Sequence, residues 1–166
     1  MTEGPPKKEG LLVGLKNGEI YRIFIDNPFP IHLINHDVTI SQLDLSANRR
    51  KLAVVDNKNN FYMYDIVTKE QLASELKVTS VAFNSEFEDM VAYAGEGLLF
   101  IKGGDFPSIT LKQNGNLVGF RGAKCRMVHN GTILMVDIPL SSHLFNYIQR
   151  KNFKAAYNIA SLGVPD

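Results

Sequence analysis

The chain has 166 residues, of which 45% are hydrophobic, enough apolar material for one ordinary globular domain with a sizeable core and too much for a disordered chain. With 18 basic and 17 acidic residues the net charge is +1, so no bulk field draws in nucleic acid or an anionic membrane. No run approaches the roughly 20 apolar residues of a bilayer-crossing helix, and the single cysteine, Cys125, forms no internal disulfide and favours a reducing compartment.

Residues 1–9 read as a polar tail, with Pro5-Pro6-Lys7-Lys8 and no apolar stretch of a signal peptide. From Gly10 onward one strand pattern recurs at a spacing near 38 residues. The first, partial unit runs from Gly10 to about Asn35, with Leu11-Leu12-Val13-Gly14 and Ile20-Tyr21-Arg22-Ile23 but no room for an inner strand. A complete unit spans about Val38 to Leu76: the apolar pair Leu43 and Leu45, then Leu52-Ala53-Val54-Val55, then Phe61-Tyr62-Met63-Tyr64. Another spans about Val78 to Leu111, where Val81 and Phe83, Met90-Val91-Ala92-Tyr93 and Leu98-Leu99-Phe100-Ile101 repeat that order. A three-stranded unit from about Asn116 to Ile138 carries Val118 and Phe120, and its Asp137-Ile138 ending matches Asp65-Ile66.

The links between second and third strands are chemically explicit. Asn17-Gly18, Asp56-Asn57-Lys58-Asn59-Asn60, Gly95-Glu96-Gly97 and Asn130-Gly131 supply residues that tolerate the positive φ of tight turns. Asn130-Gly131-Thr132 also fits a glycosylation acceptor, but the Asn-Gly hairpin reading is simpler. A fixed period of this size signals a stacked or radial β array. The expected fold class is therefore all-β with a short α-helical tail: a partial WD40-like β-propeller of about three and a half blades, against the 4 to 8 of a closed ring, followed by a helical pair. That shortfall predicts a fragment or a truncated isoform.

At Pro139 the pattern changes period. Ser141 and Ser142 are expected to cap a helix with Leu144, Phe145 and Ile148 on its apolar face, and a second helix carries Phe153, Ala156, Tyr157 and Ala160 before stopping at Gly163 and Pro165. Two such helices cannot bury both faces alone, so they read as the opening pair of a helical solenoid. The expected domains are thus a tail at 1–9, the partial propeller at 10–138 and the start of the solenoid at 139–166.

A search for chemistry returns no catalytic, cofactor-binding or metal-binding residue. His32, His36, His129 and His143 lack the spacing of a metal site and read as surface or turn histidines. Cys125 lies in a strand, where cysteine acts as a small hydrophobe. Gly103-Gly104 is followed by Asp105 and not by the lysine and hydroxyl of a phosphate loop. Glu86, Glu88 and Asp89 share a turn and read as solvent-facing, and Arg49-Arg50-Lys51 reads as a solvated turn. The aromatic residues coincide with core strand positions, and no basic groove accompanies them to bind single-stranded nucleic acid.

Tyr64-Asp65-Ile66 falls where a WD-repeat blade places its Trp-Asp pair, and Asp56 opens a turn where such blades place an acid, although tryptophan and the Gly-His signature are missing. Closer matches lie in Gly14-Leu15-Lys16-Asn17-Gly18, in Phe24-Ile25-Asp26-Asn27-Pro28-Phe29-Pro30 and in Lys51-Leu52-Ala53-Val54-Val55-Asp56. Glu88-Asp89-Met90 and the run from Phe153 to Val164 complete the set. With these motifs the chain resembles the intraflagellar transport protein 122 family, WD-repeat subunits of intraflagellar transport complex A, over nearly its whole length. The resemblance implies the end of a second propeller and the first helices of a solenoid, in a non-enzymatic scaffold that supports retrograde transport, cilium assembly and ciliary protein trafficking. It implies the other complex A subunits as partners, cargo adaptors and receptors as indirect ones, and a location at the cilium, basal body, cytoplasm and cytoskeleton. It assigns no cofactor and maps no partner contact to a numbered residue. The alternatives are a coatomer-like vesicle-coat subunit with the same layout and, last, an enzyme built on a propeller, which would need ionisable groups converging on a channel.

Overall fold

Short apolar-alternating segments closed by Asn, Asp and Gly turns form antiparallel sheets in sequence order, because each tight turn returns the chain beside the strand it has just left. The computed structural model describes residues 10–162, in two compact units that divide between Val78 and Thr79. The tail at 1–9 and the helix stop at Gly163 and Pro165 lie outside the described residues.

In the first unit, β1 (Gly10–Gly14), β2 (Glu19–Phe24) and β3 (Asn27–Asn35) make a three-stranded sheet in that order. A four-stranded sheet follows, with β4 (Ile40–Leu45), β5 (Lys51–Asp56), β6 (Asn60–Asp65) and β7 (Gln71–Leu76). The β1–β2 turn depends on Gly18 at φ +89°, where an added Cβ would sit 2.6 Å from the backbone nitrogens of Asp37 and Val38. Ile20, Leu33 and Ile34 of the first sheet pack on Leu52, Val54 and Tyr64 of the second, with Leu43 and Leu45 alongside.

The second unit repeats this plan. The strands β8 (Ser80–Phe83), β9 (Met90–Gly95), β10 (Leu98–Gly103) and β11 (Ile109–Lys112) form a four-stranded sheet, and β12 (Asn116–Arg121), β13 (Lys124–His129) and β14 (Thr132–Asp137) form a three-stranded one. Ala92, Leu99 and Ile101 of the former share a core with Leu117, Phe120, Cys125 and Met127 of the latter. Buried polar groups fix the spacing between these sheets. The Ser80 hydroxyl accepts the Leu117 amide at 2.8 Å, and the Asn84 side-chain amide donates to the Gly122 carbonyl at 2.8 Å. The helices α1 (Ser141–Gln149) and α2 (Phe153–Ala160) close the same core with Leu140, Tyr147, Ala156 and Ile159.

Four details depart from the sequence reading. Opposite β13, a bulge between Leu117 and Gly119 turns Val118 outward, 58% exposed, so Leu117 is the buried equivalent of Val81. Pairing places Leu45 opposite Leu52 and Phe83 opposite Val91, so Leu52 corresponds to Val91 and not to Met90. The helical faces are also rotated. In α1 the buried side chains are His143 and Tyr147 while Phe145 and Ile148 stay exposed; in α2 they are Ala156 and Ile159 while Phe153 and Tyr157 stay exposed. Neither serine caps α1: its N-cap is Leu140, without a side-chain hydrogen bond, whereas Asn152 caps α2 by accepting the Ala155 amide at 3.2 Å.

Candidate functional site

The ionisable residues divide into groups consumed by the fold and groups left on open faces. His36 belongs to the first kind. It follows β3, and its ring is 4% exposed, with Nδ1 2.8 Å from the Tyr64 hydroxyl and Nε2 3.8 Å from Asp56 Oδ2. Tyr62 packs edge-on against the ring at 4.5 Å. Burial lowers the His36 pKa against the opposing pull of Asp56, and burial raises that of Tyr64 to about 12, so both are neutral at pH 7. Asp56 in turn accepts the amides of Lys58 and Asn60 at 2.9 and 2.8 Å and holds the β5–β6 turn. Although the Gly-His signature and tryptophan are absent, a His, Asp and Tyr cluster ties the β3–β4 connection to β5 and β6.

Asp65 does the same one turn away. It accepts the Val67 and Thr68 amides at 2.8 and 3.0 Å and pairs with Arg50 Nε at 3.1 Å. The Thr68 amide leads in holding its carboxyl below the usual carboxylate range. The cluster Arg49-Arg50-Lys51 is therefore partly engaged within the fold.

The histidines do not converge. His32 is exposed on β3 against Tyr21, and His129 lies next to Asn130, whereas His143 is 1% exposed inside α1. His36 and His143 are thus buried where the sequence suggested surface positions. Burial lowers the pKa of His143, which sits edge-on to Phe106 with ring centroids 6.5 Å apart. Among the described residues, no group of three His, Cys, Asp or Glu could hold a metal ion. Cys125 is fully buried, and desolvation pushes its thiol to about 12, which leaves no thiolate for chemistry. Gly103-Gly104 meets α1: an added Cβ on Gly103 would press into the His143 ring. Glu86 pairs with Arg121 at 2.7 Å, and Glu88 is half-buried where a solvent-facing side chain was expected.

Apolar side chains also lie exposed, among them two groups within residues 79–162. One open face belongs to the β12–β14 sheet, where Ile133 is 69% and Met135 57% exposed beside Arg121, Lys124 and Arg126. The other is helical and aromatic, with Phe145, Ile148, Phe153 and Tyr157.

Residues 1–133 match the family model of the IFT122 second beta-propeller. The chain belongs to this family. This IFT122-family segment is 46% identical to the intraflagellar transport protein 122 homolog of Danio rerio, 47% to that of Xenopus tropicalis and 48% to that of Homo sapiens, each over 98% of its own length. It spans only 13–14% of the length of those relatives. Solved structures similar in fold include U3-55K, with a TM-score of 0.66, 13% identity, and coverage of 83% of this segment and 51% of that chain. The WD40 repeats of RRP9 give 0.65, 12%, 83% and 50%, and the Cps50 (Swd1) β-propeller domain of Myceliophteria thermophila gives 0.60, 15%, 78% and 50%. The IFT122-family segment thus has the WD40-like propeller fold in four antiparallel sheets, with two helices after the last strand. No helix among its described residues is long and apolar enough to cross a membrane.

Proposed function

We propose that the segment is part of a non-enzymatic scaffold subunit of intraflagellar transport complex A, supporting retrograde transport, cilium assembly and ciliary protein trafficking. The observation that carries this reading is the 46–48% identity, over 98% of the segment, to intraflagellar transport protein 122 homologs from three vertebrates. The physical setting agrees with it. The polar clusters around Asp56, Asp65 and Asn84 are spent on turns and sheet spacing, while aliphatic and aromatic side chains lie open on sheet and helix faces. The partners in this reading are the other complex A subunits, with cargo adaptors and receptors reached indirectly, at the cilium, basal body, cytoplasm and cytoskeleton. A coatomer-like coat subunit shares the layout, but the family match favours the ciliary reading.

Within that scaffold, residues 10–138 serve as propeller and 139–166 as the first helices of a solenoid. The exposed Phe145, Ile148, Phe153 and Tyr157 support the second assignment, because an aromatic helix face of this kind is the surface on which a following helical pair stacks. Affinity purification of the endogenously tagged full-length protein from ciliated cells, followed by mass spectrometry, tests the role. Recovery of complex A subunits is expected, and recovery of coatomer in their place would overturn it. Phe153→Asp in the full-length protein is expected to reduce that recovery or the yield of intact protein; unchanged yield and recovery would remove the solenoid assignment.

A further inference from the structure

The dipeptide Asn-Gly occurs three times in this chain, at Asn17-Gly18, Asn114-Gly115 and Asn130-Gly131. Glycine carries no side chain to keep its own amide nitrogen away from the carboxamide carbon of the asparagine before it, so this peptide is open to internal attack. The attack requires a peptide free to rotate, a nitrogen not already engaged as a donor, and a carboxamide able to swing onto it. The fold sets these conditions differently at the three places.

Two of the pairs are held. The Gly18 amide donates to the Leu15 carbonyl at 3.0 Å. The Asn17 carboxamide is fixed at both ends, donating to Glu19 Oε2 at 2.8 Å and accepting the Glu19 amide at 3.2 Å, and Gly18 is buried against the Asp37 and Val38 backbone. Gly115 sits at φ +127°, where an added Cβ would lie 2.8 Å from the Val128 carbonyl oxygen. The Asn114 carboxamide oxygen lies over Gly97, 2.7 Å from where a Cβ would stand.

Asn130-Gly131 is the tip of the β13–β14 hairpin, between the paired His129 and Thr132. Both residues are exposed, and a Cβ added to Gly131 would meet nothing within 4 Å. The Gly131 amide donates to no group among the described residues. The carboxamide faces an acid–base group instead of a fixed partner: Asn130 Nδ2 lies 3.2 Å from His129 Nε2.

We propose that Asn130-Gly131 is a site of spontaneous deamidation through a succinimide, assisted by His129, and that the fold protects the other two Asn-Gly pairs. The Gly131 amide nitrogen gives its proton to solvent and bonds to Asn130 Cγ. The Cγ–Nδ2 bond then breaks, and Nδ2 leaves as ammonia with a proton from His129 Nε2, which solvent replaces. Water opens the ring at either carbonyl to give aspartate or isoaspartate, with no change in oxidation state. Either product adds a negative charge at the tip. Isoaspartate also inserts a methylene into the backbone of a turn whose length sets the pairing of β13 with β14. The inference stands on the hairpin alone and is independent of the ciliary role.

The test uses the full-length protein, aged at neutral pH and analysed by peptide mass spectrometry for the amide-to-acid mass gain. A synthetic peptide of residues 127–133 serves as the unfolded reference. Asn130 is expected to convert within about 10-fold of the peptide's rate, and Asn17 and Asn114 to lag behind Asn130 by about 10-fold or more. Isoaspartate formed there is expected to accept a methyl group from a protein isoaspartate methyltransferase. Similar rates at all three sites would overturn the proposal, and so would an Asn130 that stays intact while the peptide converts. His129→Gln is expected to slow Asn130 by about 3-fold or more while Asn17 and Asn114 keep their rates, which would rise if the variant were unfolded. A rate at Asn130 unchanged by that exchange would remove His129 from the step.

Discussion

Gly103, at the end of β10, and His143, in the first turn of α1, interlock so closely that a Cβ on the glycine would lie 2.8 Å from Nε2 and nearer still to Cδ2. The imidazole is 1% exposed and fills the space a side chain would occupy, with Phe106 edge-on to it and Arg150 stacked 4.3 Å above Phe106. This joint holds the helices on the sheet. It also gives the double glycine a packing role in place of phosphate binding.

Gly103→Ala is expected to lower the unfolding free energy by about 1–3 kcal/mol, the usual cost of overpacking a tight core. Urea melts of the single variant and of Gly103→Ala with His143→Ala measure it. If the collision is with the imidazole, the cost of Gly103→Ala shrinks in the His143→Ala background; an unchanged cost would locate the strain elsewhere.

Burial lowers the pKa of both His143 and His36 below 6.5. As pH falls through 6.5 the unfolded chain takes up protons that the folded histidines refuse, so stability is full above that point. It declines toward the folded values and levels off below them. Denaturation midpoints between pH 7.5 and 5.5 should therefore fall, with a shallower fall in His143→Phe. Asp65, held below the usual carboxylate range, adds its loss only under more acidic conditions, which separates the two effects.

Tyr64→Phe removes the hydroxyl 2.8 Å from His36 Nδ1 and leaves a ring nitrogen unsatisfied in a site 4% exposed. A loss of about 1–2 kcal/mol is expected. Asp56→Ala should cost more, because it also strips the acceptor of two turn amides. Equal effects in equilibrium unfolding would argue that the turn amides add nothing beyond the cluster.

The Cys125 thiol, fully buried and pushed to about 12, should resist modification in the native protein. Labelling with a disulfide reagent at pH 8 is expected to be slower by about 100-fold or more than after denaturation, since only the exposed thiolate reacts. Rapid native labelling would mean that the β12–β14 sheet opens readily.

The repeat itself was legible in the chain because its physical basis is local. Alternation sets which side chains share a sheet face, and Asn-Gly pairs such as Asn130-Gly131, at φ +49° and +76°, set where each hairpin turns. The unit limits at Gly10, Asn35, Leu76, Leu111 and Ile138 lie within two residues of the sheet limits found. Strand identity therefore followed from the sequence.

Register and helix facing did not follow from it, since both depend on what lies opposite. A bulge in β12 moved Val118 out and Leu117 in without changing composition. The α1 and α2 stripes were apolar on more than one side, so only the sheet beneath them selected His143, Tyr147, Ala156 and Ile159 for burial. His36, Asp56 and Tyr64 are spread over 29 residues, a separation with no periodic signal, and became one cluster only when the β3–β4 connection met the β5–β6 hairpin. Sequence alone determined the strands and their order, through local turn chemistry and alternation, and pointed to the family through the resemblance of its motifs. Tertiary packing decided which equivalent positions are buried and which polar groups are satisfied, because burial belongs to the neighbour as much as to the residue.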